Sequence, residues 1–64
     1  MTPKELRRLL EKNGFVFTRQ SGSHAIFKHP VKKLRVVLPM HARDIPTGTL
    51  HAILKDAGLK QPKS

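Results

Sequence analysis

Arg19-Gln20-Ser21-Gly22-Ser23-His24-Ala25-Ile26-Phe27-Lys28-His29-Pro30 is the stretch on which the reading of the chain turns. A polar turn carrying one glycine opens it, a short run of alternating apolar residues follows, and a proline closes it. That is the pattern of a hairpin turn running into a strand. His24 stands where turn becomes strand, so backbone N–H groups and a titratable ring share one place from which to meet a ligand.

Outward on the C-terminal side, Pro30-Val31-Lys32-Lys33 reads as a turn, and Leu34 to Leu38 as a strand that Pro39 stops. Taking Pro30 to Lys33 as the whole loop sets the register. His29 then opposes Leu34, Lys28 opposes Arg35, Phe27 opposes Val36, Ala25 opposes Leu38 and His24 opposes Pro39. Opposed residues share a face. One face is Ala25, Phe27, Val36 and Leu38, wholly apolar and expected beneath helices. The other is His24, Ile26, Lys28, Arg35 and Val37, expected open and basic. On the N-terminal side, Phe15 to Gln20 is β-prone and alternating, and reads as strand one. A three-residue turn, Ser21-Gly22-Ser23, puts Phe17 beside Phe27 and completes the core with Phe15. A two-residue turn reverses the faces of that first strand.

Helices flank the strands. Thr2-Pro3-Lys4-Glu5 is a capping box with proline at the first helical position. Leu6, Leu9 and Leu10 follow at helical spacing, and Gly14 supplies the stop. After Pro39, Asp44-Ile45-Pro46 leads into a second helix with Pro46 as its first residue. Ile45, Leu50, Ile53, Leu54 and Ala57 form its apolar stripe, and Gly58 ends it. Leu59 is expected to fold back, and residues 60–64 read as a flexible tail. The sequence therefore predicts one domain over residues 1–59: helix, three antiparallel strands, helix. This is an α+β arrangement with two helices on one face of the sheet. The expected core is Leu6, Leu9, Leu10, Phe15, Phe17, Phe27, Val36, Leu38, Leu50, Ile53 and Leu54.

Composition narrows the function. The chain has 64 residues and no cysteine, so disulfides and thiolate metal sites are excluded and a reducing compartment fits. No apolar run approaches membrane-spanning length, and the chain reads as soluble and cytoplasmic. Thirteen Lys and Arg against four Asp and Glu give a net charge of +9. So lopsided a balance on a short folded chain points to a polyanion or an acidic partner, with nucleic acid first. Three Phe and no Trp or Tyr leave few platforms for stacking on bases.

Gly22-Ser23-His24 leading into Ile26-Phe27 and His29-Pro30 is the first of three linked blocks. Val37-Leu38-Pro39-Met40-His41 is the second. The third runs through Ile45-Pro46, Gly48-Thr49-Leu50, Ile53-Leu54 and Ala57-Gly58-Leu59. Together, over residues 3–59, they resemble the HicA toxin family. The resemblance implies a fold similar to double-stranded-RNA-binding domains, cleavage of messenger RNA with one essential histidine, and neutralisation by a HicB-type antitoxin. The histidine that carries over is His24.

The residue chemistry agrees. Metal-free RNA cleavage needs a base to take the proton of the 2′-hydroxyl that attacks the adjacent phosphate, and histidine suits that role near neutral pH. Lys28 and Arg35, on the same expected face, would stabilise charge growing on the phosphate. Ser21, Gly22 and Ser23 offer donors that hold a phosphate in the turn, and Arg19 and His41 complete the expected RNA-binding set. His29 points to the opposite side of the strand and reads as a polar residue beside the turn. His51 falls on the polar side of helix two and receives no role. His24 and His29 cannot chelate from opposite faces and no carboxylate cluster joins His41, so neither a metal site nor another cofactor is expected. Two other readings stay open: a non-catalytic RNA-binding module of similar fold, and a purely structural partner subunit.

Overall fold

The computed structural model describes residues 1–41 and 43–59. The expected tail at 60–64 lies outside the described residues. The elements are α1 (Pro3–Lys12), β1 (Val16–Ser21), β2 (His24–His29), β3 (Leu34–Pro39) and α2 (Thr47–Asp56). The strands form one antiparallel sheet in the order β1-β2-β3, so β2 is central and the other two are edges. This is the expected α+β order.

α1 starts where its capping box dictates. The Glu5 N–H donates to the Thr2 hydroxyl at 3.1 Å, and the Thr2 N–H donates to the Glu5 carboxylate at 2.8 Å. The Thr2 backbone donor, followed by the Thr2 side chain, holds the Glu5 carboxyl below its ordinary pKa. α2 starts one residue later than expected. Pro46 keeps an extended ψ of 146° and caps the helix, its carbonyl accepting the Leu50 N–H at 2.8 Å. Leu59 folds back as expected, its N–H donating to the Leu54 carbonyl at 2.9 Å.

The β2–β3 register is the expected one at every pair from His24–Pro39 to His29–Leu34. The β1–β2 connection differs. Ser21 pairs with His24, so the turn is Gly22-Ser23 alone, with Gly22 at φ 60°. A left-handed first central residue is what a II′ hairpin turn requires, and glycine adopts it without strain. Arg19 then faces Ile26, yet Phe17 still faces Phe27, because the strand bulges at Thr18 between them. The bulge absorbs one residue and restores the alternation that the shorter turn would have reversed.

Both helices cover one side of this sheet. The core joins Leu6 and Leu10 of α1 with Phe15, then Ala25, Phe27, Val36 and Leu38 of the sheet, then Ile45, Ile53, Leu54 and Ala57. Leu9 and Leu50, expected inside, are only partly buried against it. Phe17 is 38% exposed, because β1 is an edge strand whose residues are all exposed. Its ring stands edge-on to Phe27 at 5.8 Å, and the Arg7 guanidinium covers it at 5.4 Å.

Candidate functional site

The pairings define the uncovered side of the sheet as three rows. Ser21, His24 and Pro39 form the first; Arg19, Ile26 and Val37 the second; Val16, Lys28 and Arg35 the third. Three cations and one imidazole stand there, and none of the three strands contains an Asp or Glu. The four carboxylates of the chain lie at Glu5, Glu11, Asp44 and Asp56, all outside the sheet. With no carboxylate among the strands to offset the cations, the face is set for an anion.

His24 sits at one corner, exposed, with Ser21 directly opposite on β1. Its ring makes no hydrogen bond to another described residue. The Met40 N–H donates to the Ser23 carbonyl at 2.8 Å, which ties the chain beyond β3 to the Gly22-Ser23 turn. His41 follows Met40 and is exposed. Ser21, Gly22 and Ser23 are exposed too, so this corner combines a ring, two hydroxyls and turn backbone.

Ile26 departs from the open character expected of its face. It is 4% exposed although both described helices pack on the other face, while Val37 is 39% and Val16 56% exposed. Its place explains this: on the central strand it has Arg19 and Val37 across from it and His24 and Lys28 before and behind. The stems of such neighbours shelter an aliphatic group while their charged heads stay in water.

Lys28 and Arg35 share this face but not this corner. His24 and Lys28 are four residues apart on one strand, about 13 Å at 3.3 Å per residue. Arg19, in the next row, is the cation nearest the histidine in the register. A groove of about 400 Å³ opens instead at the far end, lined by Lys28, His29, Pro30, Lys33, Leu34 and Arg35. Lys33 was not singled out in the sequence as a site residue. Its only local signal is its position as the last residue of a loop closed by its N–H bond to the His29 carbonyl at 2.9 Å.

His29 holds that loop together. Its Nδ1 accepts the Val31 N–H at 3.2 Å and the Lys32 N–H at 3.0 Å, and its ring stands edge-on to Phe15 at 5.2 Å. Gly14, at φ 91°, makes room for it: a Cβ there would lie 2.7 Å from the imidazole Nε2. His51 is half-buried on α2. The four histidines thus occupy four different surroundings.

Residues 3–59 match the model of the family described as HicA toxin of bacterial toxin-antitoxin. No curated protein matches the chain.

Proposed function

The chain belongs to the HicA toxin family of bacterial toxin–antitoxin pairs, and from that premise we propose that it is a metal-independent endoribonuclease acting on messenger RNA through His24. The observation that carries this reading is an exposed imidazole at the corner of a cationic sheet face whose strands hold no carboxylate. RNA lies along that face with a phosphodiester at the first row. His24 takes the proton of the 2′-hydroxyl, the 2′-oxygen attacks phosphorus, and the bond from phosphorus to the 5′-oxygen breaks. Solvent at the exposed corner supplies the proton that the departing 5′-oxygen needs. Arg19 and the hydroxyls of Ser21 and Ser23 bear on the charge gathering at the phosphate oxygens.

The antitoxin in this reading is a HicB-type protein that lays an acidic surface over the same face. Charge would speed its association, and Val37 with Val16 would give the apolar contact. Ile26, on the same face, is too sheltered for that role. Cytoplasmic action follows from the substrate; among the described residues no helix is long and apolar enough to cross a membrane. The deciding experiment incubates purified protein with a defined RNA in EDTA and reads the fragment ends. Fragments ending in 2′,3′-cyclic phosphate or 3′-phosphate are expected at an undiminished rate. Ends in 3′-hydroxyl with a requirement for magnesium would sink the mechanism.

A further inference from the structure

We propose that the groove at the far end of the sheet is a second phosphate subsite, which grips the RNA strand at a phosphate beyond the one being cleaved. The proposal rests on the endoribonuclease reading and divides the open face into two working ends. Lys28 and Arg35 oppose each other across β2 and β3, and with Lys33 they put three cations around one groove. Pro30 and Leu34 give it an apolar floor, and no carboxylate lines it. A backbone spacing of about 13 Å along the strand separates this groove from the His24 corner. It is well placed for a neighbouring phosphate on the same strand of nucleic acid.

Lys33 adds an independent observation. It is the only non-glycine residue among those described with a left-handed backbone, at φ 59°. Glycine or asparagine fills such a position with little strain, whereas lysine pays for it in stability. The loop holds this residue in that conformation, and such strained positions cluster at ligand-binding sites. Here the side chain lines the groove beside two other cations. His29 fixes the loop that presents it, through the two N–H bonds onto its Nδ1.

The test compares wild type, a Lys28→Ala/Arg35→Ala double variant and Lys33→Gly on a single-stranded RNA oligonucleotide. Cleavage kinetics, equilibrium binding across a salt series and thermal melting are measured for each. The double variant should raise KM roughly tenfold or more, the loss expected for hydrogen bonds to charged groups, with kcat little changed. Its slope of log affinity against log salt should fall by about 0.7, the share of one phosphate contact to a single strand. Lys33→Gly should melt no lower than wild type yet bind RNA more weakly, which a merely structural lysine would not do. Wild-type KM and wild-type salt slope in both variants overturn the subsite while leaving cleavage by His24 standing. A fall in kcat at constant KM also overturns it, because the cations would then act on the cleaved phosphate. If wild type binds RNA with a slope the variants reduce but cuts nothing, the cleavage reading fails and the subsite stands.

Discussion

The two faces of the sheet are drawn from the same three strands, and alternate residues of β2 serve opposite purposes. On the covered face Ala25 and Phe27, with Val36 and Leu38 beside them, are at most 1% exposed and meet both helices. On the open face His24 and Lys28 stand in water around a single sheltered isoleucine. A period of two lets neighbouring residues answer to different demands, one to packing and the next to charge. The two histidines of β2 make the same contrast. His24 at its start is exposed, while His29 at its end is tied into a loop and packed on Phe15.

This contrast is broken most directly at its centre. Phe27 is fully buried, and Phe27→Ala should cost about 3–5 kcal/mol, enough to unfold a domain this small. Circular dichroism on heating checks it; a cooperative transition close to that of wild type would mean the covered face is not where the stability resides. His24→Ala, three residues away, should leave the melting transition unchanged. It should slow RNA cleavage by about 10²–10⁴-fold, with RNA affinity nearly intact because the cations carry it. A folded His24→Ala protein that cleaves at the wild-type rate would remove the ring from the mechanism.

A third substitution sharpens the difference between the histidines. Gly14→Ala puts a Cβ 2.7 Å from the His29 Nε2 on a backbone at φ 91°. Both effects destabilise, by about 1–3 kcal/mol together, while the folded fraction should cleave RNA normally. Loss of cleavage without loss of stability would give His29 a chemical role. The smallest effect is expected from deleting Thr18. Removing the bulged residue leaves Arg19 opposite Ile26 and Phe17 opposite Phe27 in an ordinary alternating strand, so stability should stay within about 1 kcal/mol of wild type. A large fall in melting temperature would show that the bulge does more than set the faces.

Much of the molecule was legible in the order of residues. The capping box located α1 because its two hydrogen bonds are local, between Thr2 and Glu5. The β2–β3 register was legible because only alignments of one parity bring Ala25, Phe27, Val36 and Leu38 to one face, and the four-residue loop picks the register among them. The corner at His24 could be found for the same reason: its face follows from the register once the loop is known. What the sequence suggested less well lay at the rim of the core, on the edge strand and on both helices. Phe17, Leu9 and Leu50 are as apolar as their buried neighbours, and pattern alone does not tell the middle of a small core from its rim.

The sequence by itself determined the elements, the central register and the sign of the charge on the sheet, because each depends on neighbours in the chain or on one short loop. Tertiary structure alone decided how β1 meets β2. Gly22-Ser23 as a tight turn and Phe17 against Phe27 are incompatible in a regular hairpin, and the bulge at Thr18 satisfies both. It also decided that Lys28, Lys33 and Arg35 gather around a groove at the far end rather than at His24. Composition counts cations, but only the length of a strand and the bend of its loop fix the distance between them.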